Sequence, residues 1–181
     1  MGYRGPLSTL HGFVDGLRGG SRPQESFLHY LRQDYVFLIH FARAWALAAA
    51  KAETLDEMAA CSATVHALVH VEMPLHVETC AAQGIDRATL EATPEAPGNL
   101  AYTRYVLEAG YSGDFLDLMA ALAPCVLGYG EIGLRLRGNA GPYADGCATY
   151  GLALIPLCPC RSAPWSRAWR EIRTRTHQET E

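Results

Sequence analysis

The sequence of 181 residues predicts an all-α protein. Apolar residues recur at steps of three and four through several long segments, as they do on the inner face of an α-helix. Residues typical of helix starts and ends lie at the borders of these segments. No segment shows the alternation of apolar and polar residues that a half-buried β-strand requires. We therefore expect a helical bundle with a full hydrophobic core.

Composition and charge favour an ordinary globular protein. Apolar residues make up 49% of the chain and the net charge is -4. The basic residues form no stripe outside the C-terminal tail, so we expect no nucleic-acid partner. The apolar run at residues 45–50 is too short to span a bilayer, so we expect no membrane segment. Six cysteines are scattered through helical segments without a secretory signal, which favours a reduced, cytoplasmic protein.

The first long helix is predicted from Pro23 to about Ala52, because Ser21 can cap it and a first turn accepts proline. Asp34 lies at the centre of its apolar stripe. Burial of an unpaired carboxylate is costly, so Asp34 either has a structural ion-pair or capping partner or faces a ligand. The stripe consists of Tyr30, Leu31, Asp34, Phe37, Leu38 and Phe41.

A second helix is predicted from Thr54 to Gln83. Thr54 and Glu57 have the spacing of a capping box, and Gly84 follows the last turn as a stop signal. Pro74 lies inside this segment and is expected to bend the helix.

Glu72 and His76 lie four residues apart on the second helix and could both bind a metal. Further ligands would have to come from His40, His66 and His70. No second Glu-x-x-His pair of the di-iron bundle type occurs in the sequence. We therefore expect no metal site.

The central helix is predicted between Asp114, as its N-cap, and Gly138, as its stop. Pro124 removes one backbone donor inside it, at a cost of roughly 3 kcal/mol. Such a kink beside Cys125 indicates a helix shaped around a ligand. Cys125 itself is either a small buried hydrophobe or a reactive thiol. The apolar stripe consists of Leu118, Leu122, Cys125, Tyr129 and Ile132.

The remaining segments are shorter. An acidic connection occupies residues 86–97, and a helix is predicted from Asn99 to about Ala109. A turn at 139–143 precedes a short helix at 143–150. The tail at 152–181 has three prolines, a Cys-x-Cys pair and no long helical stripe. We expect it to be poorly ordered rather than a metal site or a surface-binding helix.

Six motifs follow one another in the order seen in the TenA/THI-4 family, also called thiaminase II, which the chain resembles over roughly residues 10–151. Single motifs are weak evidence, but six in order are specific. The resemblance implies a helical bundle domain at 1–151 and a divergent tail at 152–181. The motifs are His11-x-Phe-Val-x-Gly-Leu, Tyr30-Leu-x-Gln-Asp-Tyr-x-Phe-Leu-x-x-Phe-Ala, Glu72-Met-x-Leu-His76, Ala101-Tyr-Thr, Leu122-x-Pro-Cys-x-x-x-Tyr-x-Glu-Ile-Gly133 and Ala148-Thr-Tyr-Gly151.

The resemblance implies a haem-oxygenase-like helical bundle that binds no haem and is usually a homotetramer; no cofactor is expected. The family hydrolyses aminopyrimidines. It releases 4-amino-5-hydroxymethyl-2-methylpyrimidine from 4-amino-5-aminomethyl-2-methylpyrimidine or, more slowly, from thiamin. The expected partners are therefore a small aminopyrimidine substrate and further copies of this chain.

Motif by motif, the resemblance implies that Cys125 is the nucleophile and that Asp34 binds the pyrimidine. The motif that contains Glu72 and His76 implies no role for either residue. The family's aromatic pocket corresponds to Phe37, Tyr102, Tyr129 and Tyr150.

The chemistry of an aminopyrimidine accounts for these residue types. A carboxylate such as Asp34 can hold the ring nitrogen and the adjoining amino group with two parallel hydrogen bonds. The exocyclic amine becomes displaceable once a thiolate, here Cys125, adds to the ring. That thiolate requires a lowered pKa, and Tyr129, one turn further along, is the available hydrogen-bond donor.

The C-terminal region departs from the family pattern. Family members continue with amphipathic helices, the last of which contains a Tyr-Glu-x-x-Phe-Trp-like segment whose glutamate moves protons. Glu171 and Glu179 do not match that segment, so we expect the C-terminal helices to be missing or altered by a frameshift or truncation near residue 151. The alternative to a hydrolase is then a catalytically impaired pyrimidine-binding homologue. A metal-dependent oxygenase is disfavoured by the scarcity of inward Glu and His.

Overall fold

The computed structural model describes residues 12, 15–16 and 24–136, with side chains up to residue 132. All regular structure in this part of the chain is helical, and no strand occurs in it. The prediction of an all-α fold is therefore confirmed. The predicted stop at Gly138, the short helix at 143–150, Tyr150 and the tail at 152–181 lie outside the described residues.

Helix α1 spans Gln24–Lys51, within one residue of the predicted bounds at each end. It is the longest of the described helices, and the other described helices pack against it. One hydrophobic cluster surrounds its C-terminal half, where Trp45 and Leu38 pack with Leu118 and Leu122. A second cluster surrounds its N-terminal half and consists of Phe27, Leu31, Tyr35, Val36, Cys80 and Leu90.

The predicted second helix is a continuous helical path with a change of register inside it. Helix α2 spans Leu55–Ala67 and begins with the predicted capping box of Thr54 and Glu57. A π-helical segment, Leu68–Glu72, follows, and the N–H of the next residue bonds to the carbonyl of Leu68 five residues earlier. Helix α3 then spans Met73–Ala81.

The π-helical segment ends beside Pro74, where a bend was predicted. Proline has no N–H to offer the carbonyl four residues before it, so an α-helical ladder cannot continue unchanged through this position. A wider π turn is one way of accommodating the lost bond. The predicted stop at Gly84 is confirmed, because Gly84 has a φ of 77°, a left-handed conformation that favours glycine.

Two predictions about the connecting region were wrong in detail. The connection at 86–97 contains a short helix, α4 at Arg87–Glu91, because the Asp86 side chain accepts a hydrogen bond from the N–H of Thr89 and caps it. Helix α5 spans Pro97–Ser112 and is longer than predicted at both ends. Its first turn begins with a proline, which loses no intrahelical hydrogen bond there.

Helix α6 spans Phe115–Leu136 and continues through Pro124. Asp114 caps it as predicted, accepting hydrogen bonds from the N–H groups of Leu116 and Asp117. The stretch Phe115–Ile132 has a mean hydropathy of 1.4 and is, within the described part of the chain, long and apolar enough to cross a membrane. A core helix of a globular protein passes the same test, and α6 packs against α1 and α5 in the first hydrophobic cluster.

Candidate active site

Asp34 is the centre of a buried polar network on α1. Its carboxylate is 6% exposed. Oδ2 accepts hydrogen bonds from His76 Nε2 at 2.8 Å and from the Tyr30 hydroxyl at 3.3 Å. Oδ1 accepts from the Tyr129 hydroxyl at 3.2 Å. A carboxylate has about four acceptor positions, and the described residues donate to three of them, which leaves one position on Oδ1 without a described donor.

His76 is fully buried and balances the charge of Asp34. Its Nδ1 lies 3.1 Å from the backbone carbonyl of Glu72, and its Nε2 lies 2.8 Å from Asp34 Oδ2. Both partners are acceptors, so both ring nitrogens carry protons and His76 is an imidazolium cation. Burial lowers the pKa of His76, but the hydrogen bond and charge of Asp34 outweigh burial and make the net shift upward. The ion-pair partner expected for a buried Asp34 is therefore His76, and the ligand-binding role of Asp34 stays a prediction.

The two tyrosines on Asp34 also contact each other, with 3.3 Å between their hydroxyl oxygens. Each hydroxyl has one proton. Tyr129 can therefore donate either to Asp34 or to Tyr30, and it keeps a hydrogen bond in both arrangements. This pair can uncover a second acceptor position on Asp34 without leaving a hydroxyl unsatisfied.

Glu72 is a second buried carboxyl group beside the ion pair. Its side chain is 2% exposed, and Oε2 has no hydrogen-bond partner among the described residues. Burial, followed by the charge of Asp34, raises the pKa of Glu72 to about 8, so the group is a neutral acid at pH 7. A buried polar atom without a partner typically costs about 1–3 kcal/mol and calls for an explanation.

A pocket of about 370 Å³ lies against this network, between α5 and α6 and the middle of α1. Cys125 and Tyr129 form part of its wall. The Tyr129 hydroxyl, which donates a hydrogen bond to Asp34, therefore lies between the pocket and the Asp34 carboxylate. The lining residues are Phe37, Gly98, Asn99, Tyr102, Pro124, Cys125, Gly128, Tyr129 and Ile132.

Cys125 is half-buried in the pocket wall. Burial, followed by the negative charges of Asp34 and Glu72, raises the pKa of Cys125 well above its usual range. The expectation that Tyr129 lowers this pKa was wrong, because the Tyr129 hydroxyl donates to Asp34. The buried carboxylate is the stronger acceptor for that proton.

The aromatic residues give the pocket flat walls. The ring centroids of Phe37 and Tyr102 lie 6.1 Å apart, and the angle between the two ring planes is 19°. The Tyr102 hydroxyl donates to the carbonyl of Ala121 at 3.1 Å, which fixes the ring against α6 one turn before Cys125. Flat apolar walls of this kind suit a planar aromatic ligand.

The structure brings five of the six predicted site residues together. Cys125, Phe37, Tyr102 and Tyr129 line one pocket, and Asp34 joins them through Tyr129. The sixth, Tyr150, lies outside the described residues.

Sequence reasoning gave no role to Tyr30 or Asn99. Tyr30 belongs to the predicted inner stripe, and its position one turn before Asp34 was the available signal. Asn99 lines the pocket, and its Oδ1 has no partner among the described residues. No pattern in the sequence distinguishes Asn99 from an ordinary residue in the first turn of a helix.

The described residues contain no group of three or more His, Cys, Asp or Glu side chains arranged to hold a metal ion. Glu72 and His76, the pair with metal-ligand spacing, face Asp34 instead. Asp34 is bonded to His76, and the backbone of Glu72 accepts from the same ring.

The sequence matches the TENA/THI-4/PQQC family over residues 5–154. It is 41% identical over 131 residues to an aminopyrimidine aminohydrolase of Halalkalibacterium halodurans, a match that covers 72% of this chain. This chain spans 58% of the length of that curated relative.

Two solved structures are similar to the fold. A TenA family transcription regulator from Silicibacter sp. TM1040 has a TM-score of 0.78 at 50% identity, and the match covers 94% of this chain and 85% of that one. A TenA homologue from P. horikoshii OT3 has a TM-score of 0.74 at 26% identity, with coverage of 94% and 86%. The predicted haem-oxygenase-like helical bundle is thereby confirmed.

Proposed function

This chain belongs to the TENA/THI-4/PQQC family, and we propose that it hydrolyses aminopyrimidines in the salvage of the thiamin pyrimidine. The product is 4-amino-5-hydroxymethyl-2-methylpyrimidine. The likeness to an aminopyrimidine aminohydrolase supports this proposal. The observation that carries it is the position of Cys125 and Tyr129 on one pocket wall, with the Asp34 carboxylate directly behind Tyr129.

Substrate binding in this proposal uses the flat pocket and the buried anion. The ring lies against Phe37 and Tyr102, where each aromatic contact contributes on the order of 1 kcal/mol. The amino group of the pyrimidine donates to Asp34 Oδ1, at the acceptor position that Tyr129 leaves open. His76 bonds to the other carboxylate oxygen, so Asp34 accepts this hydrogen bond while it is paired with His76.

Cys125 is the proposed nucleophile. Its sulfur adds to a carbon of the pyrimidine ring, and the thiol proton passes to a ring nitrogen as the C–S bond forms. The exocyclic C–N bond then breaks, and the amine leaves as ammonia with the proton that the ring nitrogen had received. Water adds to the exposed methylene and returns a proton, after which the C–S bond breaks and restores the thiol. The raised pKa of Cys125 fits a thiol that loses its proton only during addition.

Assembly and location are also part of the proposal. We propose that the protein is cytoplasmic, because its free cysteines suit a reducing compartment. We also propose a homotetramer built from the helical domain at 1–151, with Tyr150 completing the aromatic pocket. The tail at 152–181 is proposed as a separate divergent segment.

The test is turnover of 4-amino-5-aminomethyl-2-methylpyrimidine by the wild type and by Cys125→Ser. We expect the wild type to release the hydroxymethyl product and the variant to lose at least about a thousandfold in kcat. Cys61→Ala is the matched control, since Cys61 is a free cysteine buried in the first hydrophobic cluster. Binding of the aminopyrimidine without turnover by the wild type would contradict the hydrolase and leave a pyrimidine-binding protein.

A further inference from the structure

Asp34 alone has too few free positions for the edge of an aminopyrimidine. That edge presents an amino group, which donates, beside a ring nitrogen, which accepts when the ring is neutral. Three of the acceptor positions of Asp34 are used by His76, Tyr30 and Tyr129. A carboxylate also has no proton to offer a ring nitrogen, so the two parallel hydrogen bonds expected from Asp34 require a protonated ring. A neutral aminopyrimidine therefore requires a second group, and that group must be a donor.

We propose that Glu72 is this second group: as a neutral carboxylic acid it donates a hydrogen bond from Oε2 to the ring nitrogen beside the amino group that Asp34 binds. This inference rests on the proposed function and adds a binding residue to the same site. It assigns a role to a residue that the sequence motif left without one.

The position of Glu72 supports the assignment. Its own backbone carbonyl accepts from His76 Nδ1, and the opposite nitrogen of that ring bonds to Asp34. The backbone of Glu72 and the side chain of Asp34 therefore bond to opposite nitrogens of one imidazole ring, and the Asp34 charge acts on the Glu72 carboxyl group. Both carboxyl groups also act electrostatically on Cys125 in the pocket wall, so the two acids share one region with the proposed nucleophile.

The second observation that supports a donor role for Glu72 is an oxygen without a hydrogen-bond partner. Oε2 is buried without a partner among the described residues. Glu72 is also the last residue of the π-helical segment Leu68–Glu72. π turns inside helices occur often at functional sites. A second buried glutamate, Glu57, shows the ordinary arrangement, because its carboxylate accepts from the backbone N–H groups of Glu53 and Thr54.

The protonation state of Glu72 suits a donor. The titratable groups that act on it are Asp34 on α1 and His76 on α3, and its own charge acts on Cys125 on α6. Burial and the Asp34 charge raise its pKa to about 8, against the opposing effect of His76. Glu72 therefore holds its proton at pH 7 and loses the ability to donate above pH 8.

The experiment is a cycle of protein and ligand changes, measured by calorimetry with the full chain. The ligands are 4-amino-5-hydroxymethyl-2-methylpyrimidine and its analogue with C–H in place of the ring nitrogen beside the amino group. The proteins are the wild type, Glu72→Gln, Glu72→Leu and the control Glu57→Gln. The amide of Glu72→Gln keeps a donor, whereas Glu72→Leu has none.

We expect Glu72→Leu to bind the pyrimidine about tenfold more weakly than the wild type, with Glu72→Gln within about threefold of it. The C–H analogue should bind equally to the wild type and to Glu72→Leu, because the ring nitrogen is the only partner removed. Above pH 8 the affinity of the wild type should fall more steeply than that of Glu72→Gln, because His76 titrates in both proteins and Glu72 only in the wild type.

Two results would overturn the inference. One is an affinity of Glu72→Leu equal to that of the wild type, and the other is an equal loss from Glu72→Leu with both ligands. A wild type that neither binds nor hydrolyses the pyrimidine would instead refute the proposed function, so the two failures are distinguishable. Glu57→Gln should bind both ligands as the wild type does, although its helix cap is weakened.

Discussion

The imidazolium of His76 compensates a charge that the protein interior would otherwise not tolerate. Asp34 is buried, and its strongest described partner is His76 Nε2 at 2.8 Å. Removing one partner of a buried ion pair leaves an uncompensated charge, which typically costs about 3–5 kcal/mol. At the residue scale, the stability of the site therefore depends on His76 as much as on Asp34.

We expect His76→Gln to lower the free energy of unfolding by about 3 kcal/mol at pH 7, measured by urea denaturation. The double variant Asp34→Asn/His76→Gln should recover part of this loss, since it buries no charge. His66→Gln is the control, because His66 is exposed, and we expect a change within about 0.5 kcal/mol. An unchanged stability of His76→Gln would contradict a stabilising ion pair between His76 and Asp34.

At the scale of single elements, the change of register inside the second helical segment determines which side chains face α1. Each α-helical residue turns the side chains by about 100°, and a π turn inserts one extra residue into that sequence. Glu72 is the last residue of the segment Leu68–Glu72 and His76 lies one turn after it, and both are buried near Asp34. The π turn and Pro74 therefore belong to the construction of the site.

The end of α3 depends on a glycine. Gly84 has a φ of 77°, whereas Gly98 in the first turn of α5 does not, and a Cβ at either position would meet no atom within 4 Å. We expect Gly84→Ala to lower the free energy of unfolding by about 1 kcal/mol, because a residue with a Cβ is strained in the left-handed conformation of position 84. Position 98 does not have this conformation. Gly98→Ala should be neutral or slightly stabilising through helix propensity. Urea denaturation of both variants measures the difference, and equal effects would contradict the conformational argument.

At the scale of the whole molecule, the buried acid and imidazolium make stability depend on pH. The pKa of Glu72 is raised from 4.5 to about 8, so between these values the folded protein holds a proton that the unfolded chain releases. Stability then falls as the pH rises, by at most about 1.4 kcal/mol per pH unit. His76 acts in the same direction, because its pKa is higher in the folded protein than the usual value of 6.5. Its contribution to stability is full below pH 6.5 and is lost as the pH rises through the pKa of the folded state.

We therefore expect the free energy of unfolding to decrease by more than about 1 kcal/mol between pH 6 and pH 8. Glu72→Gln should show a smaller decrease, because the amide does not titrate. Urea denaturation at both pH values is the measurement, with Glu57→Gln as the control that retains the wild-type slope. A slope unaffected by Glu72→Gln would show that this carboxyl is not the proton-binding group.

Much of this protein was determined by local sequence. The capping box at Thr54, the stop at Gly84 and the cap at Asp114 are interactions between residues a few positions apart, so their patterns predict helix ends directly. The motifs around Asp34 and Cys125 likewise identified the family. The short helix Arg87–Glu91 was missed because five residues are too few to produce a periodic pattern.

Only the tertiary structure decided how the site residues act on one another. His76 is 42 residues from Asp34, and Tyr129 is 95 residues from it. Spacing along one helix suggested that Tyr129 would donate a hydrogen bond to Cys125. The packing of α6 against α1 instead places the Tyr129 hydroxyl within hydrogen-bond distance of Asp34. The pairing of His76 with Asp34 and the neutral state of Glu72 follow from burial, which depends on all the helices that exclude water there. Charge and protonation in a core are properties of the packed structure, and a linear sequence cannot specify them.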